Sequence, residues 1–135
     1  MTAKERFTVR TSARFEAAHA IRNYIEVRPG KFIDEPINGH SWLVEAFIES
    51  EEIDERTGFA VDFMIFRKKL LELVSYLDHQ FINEKEPFNK INPSTENIAK
   101  WFYNQLLSLS SSNSRLVRVI LWEGPDNYVV YEQLK

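Results

Sequence analysis

The residues with the clearest chemical potential lie in two short stretches, one ending at His19 and the other containing Asn38 and His40. Side chains alternate between the two faces of a β-strand, so Asn38 and His40 share a face, while Gly39 lets another backbone approach closely. His19 ends an alternating run of its own that begins at Phe7. Antiparallel pairing of these two strands would bring both imidazoles and the amide oxygen to one point.

Spacing alone leaves the role of these histidines open, because a histidine beside an apolar run is more often a hydrogen-bonded core or edge residue than a metal ligand. The chain contains no cysteine, which excludes disulfides, thiolate zinc sites and a cysteine acting as nucleophile or base. Histidine and carboxylate side chains are the remaining candidates for metal ligands.

Three acidic residues and one further histidine are also candidates for chemistry. Asp78-His79 is the best acid/base pair, because a carboxylate next to an imidazole orients it and holds its proton. The alternative is a histidine at a helix C-terminus that interacts with the helix dipole. Glu123 follows an apolar strand, where a solvated charge is an equally ordinary explanation. Glu96 falls in the first turn of a predicted helix, where an acidic residue is often only a dipole partner.

Four predicted strands and two predicted helices must position these groups. Alternating apolar residues indicate the strands, and apolar residues at helical spacing indicate the helices. Asp62 is expected to cap the first helix, and Pro93 to occupy the first position of the second. The predicted strands are residues 5–19, 40–49, 116–122 and 128–132, and the predicted helices are residues 63–77 and 93–109.

The order strand, strand, helix, helix, strand, strand predicts an α+β fold, in which two helices cover one face of a four-stranded antiparallel sheet. Residues 21–37 and 80–91 are predicted loops, the first of which carries Asp34 and Glu35 towards the His40 strand. A turn-rich tetrapeptide at residues 124–127 predicts a hairpin between the last two strands. The open edges of such a sheet need to be covered by neighbours.

Composition predicts one domain over residues 1–135, with 44% hydrophobic residues. Apolar runs fall well short of the roughly 20 residues of a membrane span, and the charged start of the chain does not resemble a secretory signal. A soluble, cytoplasmic protein is therefore expected. A net charge of −3 gives no general positive field, so neither nucleic acid nor membrane is an expected partner.

Six motifs spread over about residues 7 to 132 occur in the order seen in one enzyme family. On these motifs the chain resembles the 6-pyruvoyl-tetrahydropterin synthase and 6-carboxytetrahydropterin synthase family. The motifs are Phe15-Glu16-Ala17-Ala18-His19, Gly39-His40, Thr57-Gly58 with Asp62-Phe63, Leu77-Asp78-His79, Pro93-Ser94-Thr95-Glu96-Asn97 and Trp122-Glu123-Gly124.

The resemblance implies a tunnelling fold, a homo-oligomer (trimer or hexamer) and a zinc ion. The metal-ligand positions of the family fall on His19, Asn38 and His40. Asn38 offers only a neutral amide oxygen where the family has an imidazole, so zinc is expected to be held weakly or lost. By the same resemblance Asp78 and His79 belong to a catalytic relay.

The pterin substrate is expected to be held by residues from two of the motifs. By resemblance Glu123 anchors the pterin ring, and a carboxylate that accepts two hydrogen bonds from an aminopyrimidinone edge fixes its orientation. Thr95 and Glu96 are implied to lie near the pterin as well.

The catalytic cysteine of the synthases is the second departure, because Asp34 stands at its position. One branch of the family uses a glutamate one residue later, where this chain has Glu35. That branch resembles a lyase that cuts the side chain of 7,8-dihydroneopterin triphosphate to 6-hydroxymethyl-7,8-dihydropterin, as in folate synthesis. The alternatives are 6-carboxytetrahydropterin synthesis for queuosine or archaeosine, 6-pyruvoyl-tetrahydropterin synthesis, and a non-catalytic pterin-binding protein.

Overall fold

The computed structural model describes residues 3–134 and has an α+β architecture, with two helices packed on one face of a mostly antiparallel sheet. The strands are β1 (Phe7–His19), β2 (Ile25–Arg28), β3 (Lys31–Ile33), β4 (Asn38–Ser50), β5 (Gln80–Phe81), β6 (Ser114–Gly124) and β7 (Asn127–Tyr131), and the helices are α1 (Phe63–Leu77) and α2 (Thr95–Leu106). The main sheet has the order β5-β1-β4-β6-β7. No helix within residues 3–134 is both long and apolar enough to cross a membrane.

Strands β1 and β4 pair in antiparallel orientation along their whole length, and this pairing brings the candidate residues of the two strands together. His19 is paired with Asn38, and Ala17 with His40. Alternate residues of both strands are buried under the helices, so a shift of one residue would expose the whole apolar face. This register places His19, Asn38 and His40 on one face at the same end of the sheet.

The core directly beneath this end of the sheet is aromatic. Trp42 is fully buried, and its ring stacks on that of Phe15 with 5.8 Å between centroids. The indole Nε1 of Trp42 donates a hydrogen bond to the carbonyl of Ala17. Complete burial of side chains of this size is worth roughly 1.5–3 kcal/mol each, so the floor under the histidines is rigidly packed.

The sheet has five strands rather than the predicted four, because β5 adds to the edge of β1 in parallel orientation. Two residues are too few to show an alternating pattern, so this strand could not be predicted from periodicity. The predicted loop at residues 21–37 likewise contains a two-stranded hairpin of β2 and β3, whose side chains are exposed. Its lack of a buried face explains why no periodicity marks it.

The helix starts agree with the prediction at α1 and differ at α2. The Asp62 side chain accepts a hydrogen bond from the backbone N–H of Met64, which makes it the N-cap of α1. In α2 the N-cap is Ser94, whose hydroxyl accepts from the N–H of Asn97. Pro93 therefore lies before the helix rather than at its first position, and its carbonyl is free to accept a side-chain hydrogen bond.

Candidate active site

His19 is the most deeply buried polar residue of the site, with only 3% of its surface exposed. Its Nδ1 lies 2.7 Å from the carbonyl oxygen of Pro93. A carbonyl can only accept, so Nδ1 carries the proton and the Nε2 of the neutral ring presents a lone pair. A backbone carbonyl that accepts from one ring nitrogen and so fixes the tautomer is typical of histidines that bind metals.

His40 projects from β4 onto the same face, and its ring meets that of His19 edge to face at 5.3 Å. The Nε2 of His40 lies 2.6 Å from the Oδ1 of Asn38. The amide orientation follows from the second contact of Asn38, in which Nδ2 donates to the carbonyl of Pro36 at 2.9 Å. His40 thus donates to Asn38, and the amide is held from both ends.

Glu123 approaches the two imidazoles from the end of β6. One carboxylate oxygen lies 3.4 Å from the Nε2 of His40, and the other lies 4.0 Å from the Nε2 of His19. The hydroxyl of Thr95, at the start of α2, donates to this second oxygen at 3.0 Å. The structure therefore brings Glu123 and Thr95, both expected near the substrate, into direct contact with the histidine cluster.

Trp42 forms the floor of this cluster, a role that the sequence reading did not assign. Its ring packs edge to face against His19 at 5.1 Å and against His40 at 5.5 Å. The available signal was its position two residues after His40, on the same face of β4. The aromatic floor leaves both imidazoles little freedom to rotate.

The donor set of this cluster fits a zinc ion. His19, His40 and Glu123 each offer one ligand atom, and these atoms lie within 4.8 Å of one another. Two imidazole nitrogens and a carboxylate oxygen are a known catalytic zinc set. The residues present thus match the metal that the family resemblance implied, although with a carboxylate close to the place where an imidazole was expected.

Glu35 lies in the segment between β3 and β4 and is tied to the residue two positions after His19. Its carboxylate accepts a hydrogen bond from the N–H of Ile21 at 2.9 Å, and its own N–H donates to the Ile21 carbonyl at 3.0 Å. Asp34 is instead exposed and accepts from the N–H of Asn23. Of the two acids, Glu35 is the one bound through both its carboxylate and its backbone to the segment that directly follows His19.

The cleft beside Glu35 has a volume of about 500 Å³. Its acidic lining residues are Asp34, Glu35 and Glu84, and its basic lining residue is Arg22. The guanidinium of Arg22 donates to the carbonyls of residues 83, 88 and 91, so this side chain clamps the loop that follows α1.

Asp78 and His79 form the expected pair, 2.9 Å apart between Oδ2 and Nδ1. The other oxygen of Asp78 accepts from the N–H of Glu16 in β1 at 2.8 Å. These two donors, first the Glu16 N–H and then the His79 imidazole, hold the pKa of the Asp78 carboxyl below its ordinary value of 3.8. His79 adopts a left-handed backbone conformation with φ 61°, which is uncommon for a residue other than glycine and marks a functional candidate.

The Asp78/His79 pair borders a different cleft from Glu35. This cleft has a volume of about 480 Å³, and Glu16, Gly39, His40, Ser41 and His79 are among the residues that line it. Strand alternation places the side chains of Glu16 and Ser41, which are hydrogen-bonded to each other, on the face opposite His19.

Glu96, which was expected near the pterin together with Thr95, does not contact the histidine cluster. It is exposed in the first turn of α2, and none of its side-chain hydrogen bonds within the described residues reaches the cluster. Its neighbour Thr95 is buried and contacts Glu123. The dipole-partner explanation accounts for Glu96 as observed.

Comparison with known proteins agrees with the geometry. Residues 8–134 match the model of the family described as 6-pyruvoyl tetrahydropterin synthase. The dihydroneopterin monophosphate aldolase of Pyrococcus furiosus is 33% identical over 112 residues, which are 83% of this chain and 85% of that protein. The structure of Caenorhabditis elegans 6-pyruvoyl tetrahydropterin synthase has a TM-score of 0.81 at 23% identity, covering 99% of this chain and 100% of that one.

A further similar structure is a Plasmodium vivax 6-pyruvoyltetrahydropterin synthase in which the catalytic residue, a glutamate, is replaced by alanine. It has a TM-score of 0.71 at 18% identity, and the match covers 97% of this chain and 99% of that one. The arrangement of strands and helices is therefore shared along nearly the whole chain. This chain belongs to the 6-pyruvoyl tetrahydropterin synthase family.

Proposed function

We propose that this chain is a lyase that cleaves the side chain of a phosphorylated 7,8-dihydroneopterin and releases 6-hydroxymethyl-7,8-dihydropterin. The observation that carries the proposal is the fixed position of Glu35, bound through both its backbone and its carboxylate to Ile21, in a chain without cysteine. Two similar proteins support it. One is named as an aldolase of dihydroneopterin monophosphate, and the other has a catalytic glutamate.

The reaction is a retro-aldol cleavage with Glu35 as base. Glu35 takes the proton of the 2′-hydroxyl, the C1′–C2′ bond breaks, and C2′ leaves as the aldehyde of a phosphorylated glycolaldehyde. The electron pair left at C1′ is delocalised into the C6=N5 bond of the ring, and a proton then adds at C1′. General-base catalysis of this kind contributes about 10²–10⁴-fold in rate.

The other residues of the site bind and orient in this proposal. The Glu123 carboxylate, already hydrogen-bonded to Thr95, accepts from the amino-pyrimidinone edge of the pterin. His19 and His40 would hold a zinc ion, which would supply Lewis-acid polarisation of the side-chain oxygens of the substrate. Asp78 and His79 donate the proton that adds at C1′. Their cleft is separate from the cleft of Glu35, so this step requires that the bound substrate or a second copy of the chain connects the two clefts.

Association of several copies is part of the proposal. The hairpin of β2 and β3 and the segment after it expose a group of large apolar side chains, and β5 and β7 leave two open sheet edges. Exposed apolar surface and open edges are usual at subunit contacts. The exposed residues of the hairpin region are Tyr24, Ile25, Val27, Phe32, Ile33 and Ile37.

The test is incubation of the purified protein with the monophosphate and the triphosphate of 7,8-dihydroneopterin in separate reactions. Oxidation and chromatography of the fluorescent pterins then identify the product. We expect 6-hydroxymethylpterin, together with the phosphorylated glycolaldehyde. A 6-carboxy or 6-pyruvoyl product would assign the chain to another branch of the family.

A pterin-binding protein without catalysis is the rival function, and two features of the sequence favour it. Asn38 replaces an expected imidazole at the metal site, and the cysteine of the synthases is absent. In the same incubation this rival predicts that both phosphates are bound and recovered unchanged. Binding is measured in parallel by equilibrium dialysis, so an inactive preparation and a binding protein are distinguishable.

A further inference from the structure

Two hydrogen-bond acceptors face each other at the centre of the site. The Nε2 of His19 presents a lone pair, because its Nδ1–H is donated to Pro93. This nitrogen makes no hydrogen bond to any residue in the described part of the chain, and 4.0 Å away lies a carboxylate oxygen of Glu123. A lone pair that points at a carboxylate oxygen is an unfavourable arrangement unless a cation or a proton lies between them.

The distances around Glu123 suit a metal ion. Two ligand atoms on one tetrahedral zinc ion, each bound at about 2.0–2.2 Å, stand roughly 3.4 Å apart. The separation between the Nε2 of His40 and the nearer oxygen of Glu123 is 3.4 Å. The second oxygen of Glu123 keeps its hydrogen bond from Thr95, which orients the carboxylate.

Asn38, unlike Glu123, is not positioned as a ligand of the same zinc ion. Its Oδ1 lies 2.6 Å from the Nε2 of His40, a hydrogen-bond distance that is too short for two ligands of one zinc ion. Its amide nitrogen is bound to the carbonyl of Pro36. Zinc also prefers nitrogen and carboxylate donors to a neutral amide oxygen.

We propose that Glu123 supplies the third protein ligand of a zinc site with His19 and His40, in place of the imidazole that Asn38 replaces. The site then has two neutral imidazoles and one carboxylate, which lowers the net charge of the zinc centre from +2 to +1 relative to three imidazoles. Through its other oxygen the same side chain is available to the pterin edge.

This assignment shares the site of the proposed function, and its test needs no substrate. Metal-free protein is prepared by dialysis against a chelator and titrated with Zn²⁺ in competition with a chromophoric chelator. We expect Glu123→Gln to weaken zinc binding at least about tenfold, since even the loss of an outer-shell partner costs 10–100-fold. Asn38→Ala should not weaken zinc binding, because the Asn38 amide is hydrogen-bonded to His40 and is not a ligand in this assignment.

Glu132→Gln is the matched control, because it makes the same charge change at the exposed end of the sheet, where Glu132 pairs with Arg118. It should leave zinc binding unchanged. Unaltered zinc affinity in Glu123→Gln, or an equal or larger loss in Asn38→Ala, would overturn the assignment. Failure of the lyase reaction would not affect these titrations.

A second measurement on the unaltered protein covers the case in which Glu123→Gln does not fold. Crystals soaked in Zn²⁺ give the position of the metal from its anomalous signal. We expect the ion about 2.0–2.2 Å from one oxygen of Glu123 and from the Nε2 atoms of both histidines. An ion bound by Asn38 and the two histidines, with Glu123 outside bonding distance, would contradict the proposal.

Discussion

The Nε2 of His40 donates a hydrogen bond to the Oδ1 of Asn38, 2.6 Å away and two residues earlier on the same face of β4. In the proposed zinc site the metal would bind this nitrogen, so the hydrogen bond would break and the proton would move to Nδ1. Asn38 would then compete with the metal for His40, besides offering no imidazole of its own.

The zinc content of the purified protein tests the expected effect of Asn38 on the metal site. The unaltered protein should keep less than one zinc per chain after dialysis against a weak chelator, and Asn38→His should raise this value, because an imidazole replaces the competing amide. Elemental analysis of both proteins gives the metal content. Stoichiometric zinc in the unaltered protein after the same dialysis would show that the site is not weakened by Asn38.

Substitution of the proposed base, Glu35, distinguishes its role from that of the neighbouring Asp34. Glu35→Gln should lower turnover of the phosphorylated dihydroneopterin by about 10²–10⁴-fold, because the amide cannot take the proton. The amide oxygen can still accept from the Ile21 N–H, so the local structure should survive. Asp34→Asn is the matched control and should remain active. Full turnover in Glu35→Gln combined with loss in Asp34→Asn would reverse the assignment.

Pterin affinity tests the substrate role of Glu123 separately from its role towards zinc. In metal-free protein, Glu123→Gln should weaken binding of a 7,8-dihydropterin, since the neutral amide is a poorer acceptor for the amino-pyrimidinone edge. Stability should change by no more than about 0.5 kcal/mol, because the side chain is partly exposed. Fluorescence titration measures the affinity and urea unfolding the stability. Equal affinity of the two proteins would remove the anchoring role.

Acid stability should depend on Asp78. Its pKa is lower in the folded protein than the ordinary 3.8, because the Glu16 N–H and the His79 ring donate to the ionised form. A lowered pKa contributes stability at pH values above the unfolded pKa, and this contribution is lost as the pH falls through the folded value. We therefore expect unfolding midpoints of the wild type and Asp78→Asn to differ more at pH 6 than at pH 3.

Denaturant unfolding of both proteins at the two pH values checks this prediction. Asp126→Asn, a change of the same kind on the exposed turn between β6 and β7, is the control and should follow the wild type. A difference between wild type and Asp78→Asn that is equally large at pH 3 and pH 6 would mean that the carboxylate charge does not stabilise the fold.

The sequence by itself determined the elements with a strong period and the meeting of the two histidines. Alternation along β1 and β4 buries one face of each strand, and this puts His19, Asn38 and His40 on the same face of the sheet. Asp62 was recognisable as a cap because its side chain acts on the backbone of its own helix. Such signals are local, so one sequence is enough to read them.

Tertiary structure decided which groups complete the site. Glu123 reaches the histidines only because β6 pairs with β4, and Pro93 fixes the tautomer of His19 across 74 residues of chain. The pairing of β5 with the edge of β1 brings the Asp78 carboxylate within hydrogen-bond distance of the Glu16 N–H. Contacts of this kind depend on how separate elements pack, and no periodicity within either element encodes them.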